Sequence, residues 1–145
     1  MKICLGVIDM PYDYGDDPGA TTHQVALELE DNYHVMRTFY RKHREVIMAD
    51  AVQTLAEQFG NMIRYGTDVP DTVLLTDVKP AFSDFLNNKE MDGMPGEYGL
   101  RIPTQASLKG VNSRMKDKKG MPGRPSFIDG GLYVASFQAW VVRDG

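Results

Sequence analysis

Three histidines, one cysteine and twenty carboxylates are the side chains of this chain that could ligate a metal or move a proton. His23, His34 and His43 lie 11 and 9 residues apart. Neither interval is that of a helical ligand pair, and no Glu-x-x-His pattern accompanies them, so they read as surface helix residues rather than as ligands. Asp16 and Asp17 fall in a turn, Glu28, Glu30 and Asp31 near a helix, and Asp129 before a double glycine. No motif sets any of these as a general acid and base pair. A lone Cys4 has no disulfide or zinc partner, and in the apolar run "ICLGVI" it reads as a small buried hydrophobe, consistent with a reducing compartment. The stretches "GMPG" and "GEYG" lack the strand, helix and Lys-Ser/Thr context of a phosphate-cradling loop, and there is no Gly-x-Ser-x-Gly elbow. The expectation is a protein that is not an enzyme, with no catalytic residues, no cofactor and no metal. A small enzyme using scattered carboxylates with a divalent cation is the weakest of three readings.

Charge is more informative. The net charge is −4, but residues 1–100 carry eight Lys/Arg against 17 Asp/Glu, a balance of −9, while residues 101–145 carry eight against three, a balance of +5. Lys109, Arg114, Lys116, Lys118, Lys119 and Arg124 crowd one Gly-bearing segment opposed only by Asp117. A basic loop on an acidic body can meet nucleic-acid phosphates, meet the acidic face of another copy of the chain, or simply be solvated. With Phe127, Tyr133 and Trp140 nearby, the alternative function is a small nucleic-acid-binding module using the 109–124 loop.

The elements that must position this loop follow from periodicity. A chain of 145 residues fits one domain, 1–145, and buries roughly 70% of the surface of its unfolded form. A composition of 42% hydrophobic and 25% charged residues belongs to a soluble globular protein, and no window approaches the ~20 apolar residues of a membrane span. "KICLGVI" reads as a short strand closed by the turn-rich "DMPYDYGDDPG". Thr21 and Gln24 match a capping box, so a helix starts there. Beyond the weak spot "DNYH", apolar residues from Val35 to Ile63 keep helical spacing. One helix over 35–65 would run about 46 Å at ~1.5 Å per residue, longer than the ~38 Å diameter expected of a compact chain this size. Either Gly60 interrupts it, or it projects along an elongated molecule that packs against copies of itself. Residues 66–76 read as loop. Thr76 or Asp77 caps a short helix with the stripe Val78, Phe82, Phe85 and Leu86, and Pro80 sits in its first turn. Residues 88–126 are the least regular part, with a short helix around "TQASLKGV". In "LYVASFQAWVV" both faces of a strand are apolar, which suits a central strand or one covered by a neighbouring subunit. Gly130 and Gly131 set the turn into it, and it pairs with the N-terminal strand. The fold class is α+β, with long N-terminal helices packed on a small mixed or antiparallel sheet formed by the N- and C-terminal strands.

The succession "IPTQASLKGVNSRMKDKKGMPGRPSFIDGGLYVASFQAWV" resembles the end of small virion-morphogenesis proteins of tailed bacteriophages, the tail-completion and head–tail joining (neck) group. "TTHQVALELEDNYHVMRTFYRKHREVIMADAVQ" is similar to phage structural proteins that carry that ending. The group's basic loop matches Ser113, Arg114, Lys116 and Gly120, and its following turn matches Pro125, Ile128, Asp129, Gly131, Leu132 and Ser136. Where the group has Asp-Thr-Gly, this chain has Asp129-Gly130-Gly131 and lacks the Thr hydroxyl. The resemblance implies a non-enzymatic subunit of a phage virion, a neck, tail-completion or tail-terminator protein assembled in the host cytoplasm. Its implied partners are copies of itself in a ring, other neck, portal or tail proteins, and DNA passing through a channel. The segment from Lys109 to Arg124 would contact either the next subunit or that DNA, with Pro125, Asp129, Gly130, Gly131 and Trp140 shaping the turn and strand behind it.

Overall fold

A computed structural model describes residues 1–12, 19–110, 123–128 and 131–143. Among these the fold is α+β: six α-helices and a three-stranded antiparallel sheet of order β1-β3-β2. β1 (Lys2–Val7) and β2 (Thr72–Leu75) flank β3 (Phe137–Val142), with Lys2 opposite Val142 and Val7 opposite Phe137 on one side, and Thr72 opposite Val142 on the other. The C-terminal strand is therefore central, the first of the two readings that its apolar faces leave open, and it pairs with the N-terminal strand as expected. The sheet is fully antiparallel. Phe137, Ala139 and Val141 of β3, with Val73 and Leu75 of β2, are buried on one face, and Ile3, Leu5 and Val7 of β1 pack on the same core.

Two sequence-based expectations change here. Residues 66–76 are not all loop, because Thr72–Leu75 forms the edge strand β2. Its alternation of exposed and buried residues is only four residues long and is bounded by Pro70 and Asp71, so pairing with β3 decides its state rather than local propensity. Residues 132–136 are not strand but a one-turn helix, α6 (Leu132–Ser136). Gly131, at φ 80°, turns the chain into it, and the turn buries Tyr133 and Ser136 three residues apart. A short run that is apolar on both faces fits a strand and a buried helical turn equally well, so periodicity alone does not separate them.

The helices begin as capping chemistry dictates. α1 (Thr22–Tyr33) has Thr21 as N-cap with the full capping box to Gln24. Asp9, just past β1, accepts from the His23 N–H at 3.2 Å, and the Thr22 hydroxyl donates to the Ile8 carbonyl at 2.6 Å. The Thr21 hydroxyl and the His23 N–H hold the Asp9 carboxyl below its ordinary value. Its contribution is thus present above the usual carboxylate range and is lost as pH falls through the lowered value.

The long helical region is broken, but not at Gly60. α2 (Val35–Lys42) and α3 (Arg44–Tyr65) meet at His43, whose φ of −113° and ψ of 23° leave the helical basin. α1 and α2 meet at His34, a left-handed residue with φ 54°. The Glu30 carboxylate accepts from Met36 N at 2.8 Å and Arg37 N at 3.3 Å, supplying acceptors that the new helix start lacks. α3 then runs 22 residues straight through Gly60 to the left-handed cap Gly66, about 33 Å at ~1.5 Å per residue. Ile47, Asp50 and Ala51 anchor its first half in the core, while residues 61–65 are exposed on every side. The helix projects.

α4 (Val78–Asn87) starts where the sequence places it, after Asp77, but its cap comes from elsewhere. The buried Asp50 carboxylate of α3 accepts from Asp77 N at 2.8 Å and Val78 N at 3.1 Å, and from the Thr54 hydroxyl at 3.0 Å. The stripe Val78, Phe82, Phe85 and Leu86 is buried as expected. A glycine at mid-helix costs about 0.5–1 kcal/mol relative to alanine, and a Cβ at Gly60 would meet nothing within 4 Å. Gly60→Ala is therefore expected to raise stability by about 0.5–1 kcal/mol, read from the urea midpoint at unchanged slope; a loss would show that Gly60 serves a contact outside the isolated chain.

Candidate functional site

The basic segment springs from two stems that the fold ties together. One stem is α5 (Gln105–Lys109), where Thr104 caps Ser107 N and Gly110 closes the helix in the left-handed region at φ 66°. The other is 123–128. Gly123 N donates to the Ser107 carbonyl at 2.9 Å, and Lys89 Nζ donates to the Gly123 carbonyl at 2.9 Å. Ser126, nearly fully buried, accepts from Thr104 N at 3.1 Å, and its hydroxyl lies 3.1 Å from that of Ser107. Gly110 and Gly123, the described residues on either side of 111–122, are thus held near one another by a shared set of hydrogen bonds, of which the Ser107–Ser126 pair is buried. Nothing in sequence periodicity marks Ser107, Ser126 or Lys89 for this role. The short helix expected around "TQASLKGV" is the one part of this arrangement that the sequence marks, and it stands as α5.

The proposed contact residues divide accordingly. Lys109 is exposed at the end of α5, where its charge complements the helix dipole. Arg124 turns back on its own chain, and its guanidinium Nη1 donates to the Ile128 carbonyl at 3.1 Å and the Pro125 carbonyl at 3.4 Å. Its position is that of a brace for the turn. Arg114, Lys116, Lys118 and Lys119 lie outside the described residues, as do Ser113, Gly120, Asp129 and Gly130 and the acidic pair Asp16 and Asp17. Pro125 is half-buried, and Gly131 is the left-handed residue that starts α6. Ile128 packs against the core.

The aromatic residues near the segment are engaged in packing. Phe127, in a left-handed conformation at φ 69°, sets its ring 5.0 Å from that of Tyr33. Tyr133 is 4% exposed and meets Phe82 edge-on at 5.9 Å. Burial raises its phenol pKa, with smaller contributions from Glu30 and Tyr12, and its hydroxyl has no hydrogen-bond partner among the described residues. Trp140 lies on the sheet face away from the core, directly over Gly6, where a Cβ would come within 2.9 Å of the indole. Cys4 pairs with Trp140 across the strands on that same face, so it is half-buried rather than fully buried.

The histidines take separate structural places. His23 is an exposed residue of α1, as expected. His34 and His43 are junction residues instead of surface helix residues, each with a glutamate: His34 Nε2 lies 2.8 Å from Glu97 Oε1, and His43 Nε2 lies 2.8 Å from Glu90 Oε2. Among the described residues, no cluster of three His, Cys, Asp or Glu could hold a metal ion, and no helix is long and apolar enough to cross a membrane. No protein-family model, curated protein or solved structure matches the chain.

Two substitutions test this account. Ser126→Ala leaves Thr104 N without its acceptor and is expected to cost about 1–3 kcal/mol, seen as a lower urea midpoint; an unchanged midpoint would mean the stems are not held by this hydroxyl. Tyr133→Phe removes a buried polar atom without changing packing and is expected to leave stability level or raise it by up to about 1 kcal/mol. A clear loss would reveal a partner for the phenol.

Proposed function

We propose that this chain is a non-enzymatic structural subunit of a tailed-phage virion, a neck, tail-completion or tail-terminator protein that works in a ring at the head–tail junction. The observation that carries the reading is the C-terminal succession from Ile102 to Val141, whose basic loop, turn and final strand resemble those of that group. The charge split supports it. A subunit with a net of −9 over its first hundred residues and +5 over the rest can meet the next copy head to tail, and heterologous contacts of that kind close into a ring when the rotation permits.

The fold supplies a physical rationale for the loop as the working part. Its stems are pinned by Ser107, Ser126, Gly123 and Lys89, so Lys109 and the cations that follow it in sequence start from a rigid base. On this reading the segment touches either the neighbouring subunit or DNA in the channel. A free nucleic-acid-binding module is the lesser reading, because Phe127 and Tyr133, two of the three aromatic rings that could stack on bases, are packed into the body.

Disabling the gene in its phage and imaging the particles by electron microscopy is the test. Filled heads separated from tails, or tails of abnormal length, are expected, and the two defects distinguish a junction subunit from a tail terminator. Normal infectious particles would overturn the reading.

A further inference from the structure

α3 carries two apolar faces, and the fold uses only one. Ile47, Asp50 and Ala51 face the core. Rotated from them around the helix runs a second line, Met48, Val52, Leu55, Phe59 and Met62, spaced 4, 3, 4 and 3 residues. This is the a/d spacing of a helix that packs along another helix, narrower than the stripe of a helix lying on a globular core. Among the described residues the line is largely left to solvent. Val52 is 65% exposed, and Met48, Phe59 and Met62 are exposed as well; Leu55 alone rests partly on the core. Ile63, next to the line, is 80% exposed. Leaving such a row in water forgoes roughly 25 cal/mol for each Å² of apolar surface that a partner would cover.

The flanking positions say which partner fits. In paired helices the residues beside the a/d seam, usually Glu and Lys, choose the partner by charge. Here those positions are Ala49, Ala51, Ala56 and Gln58, followed by Ile63 and Tyr65. None is charged, so a second α3 laid along the first meets no like-charge repulsion, and the exposed Ala49 and Ala56 permit close approach of the backbones, Ala51 being turned into the core. The charged residues of this stretch, Asp50, Glu57 and Arg64, fall on the opposite side of the helix from the seam. A seam with neutral, small flanks is complementary to itself, the requirement of an isologous contact.

We infer that α3 is a self-association surface, on which two copies of this chain pair through the Met48–Met62 seam. This goes beyond the virion reading and does not depend on it. Within a ring it would join copies by a contact separate from the basic loop, and it would hold equally for a protein of another role.

Sedimentation equilibrium of the full chain across a concentration series is the experiment. The wild-type chain is expected at twice the monomer mass or a higher multiple, and Phe59→Glu with Met62→Glu is expected to shift it to a lower multiple or to monomer. Far-UV circular dichroism and thermal midpoint at low concentration check that the variant is folded. Tyr98→Glu, at a fully exposed site off the seam, is expected to leave the mass unchanged. A wild-type chain that stays monomeric throughout, or a double variant with the wild-type mass, overturns the inference. In a Cys4→Ser background, oxidation of Leu55→Cys alone, or of Leu55→Cys mixed with Phe59→Cys, is expected to yield a covalent dimer from parallel or antiparallel pairing respectively; failure of both to cross-link also overturns it.

Discussion

Phe39 is the point at which the layers meet. Its ring, from α2, touches Phe82 and Phe85 of α4 at 5.1 and 5.3 Å and Phe137 of β3 at 5.9 Å, the last edge-on at 89°. Phe82 stacks on Phe137 at 4.0 Å. All four are fully buried, and each is worth on the order of 1.5–3 kcal/mol of transfer free energy. Aromatic pairs hold particular angles as well as area, so the cluster fixes how the helices sit on the sheet. His43 extends it by stacking on Phe39 at 5.1 Å while its imidazole bonds Glu90. The irregular 88–101 segment is thereby tied to the same centre.

Around that centre the carboxylates do structural work. Asp9 serves the start of α1, Glu30 the start of α2 and Asp50 the start of α4. In each case an acidic side chain supplies acceptors to N–H groups that a helix start leaves orphaned, and its charge suits the positive end of the helix. The acidity of the first hundred residues is therefore in part a consequence of starting α1, α2 and α4 on acceptors from side chains. It also accounts for carboxylates that a search for catalytic pairs would otherwise have to explain.

What could be read beforehand, and what could not, follows from the range of each interaction. The Thr21–Gln24 box and the Val78, Phe82, Phe85, Leu86 stripe are local, and both stand in the structure where spacing puts them. The central position of β3 is one of the two readings that its apolar faces allow. The His43 junction is bonded to Glu90, 47 residues away, and β2 pairs with β3 from more than 60 residues away in sequence. Asp50 caps a helix 27 residues further on. Such long-range partners leave no periodic trace. Of the basic segment, its composition was legible, whereas the buried Ser107–Ser126 pair that holds its stems was not, because two serines 19 residues apart carry no pattern.

The roof that Trp140 makes over Gly6 has an optical consequence. Trp140 is the only tryptophan in the chain, and it stands on the central strand between Cys4 of β1 and Leu74 of β2. Its indole is close enough to the β1 backbone that even a methyl group at Gly6 would collide with it. Separation of either edge strand changes the surroundings of this one fluorophore. The sheet that joins two distant parts of the chain therefore carries its own reporter, and its emission can follow strand pairing without any label.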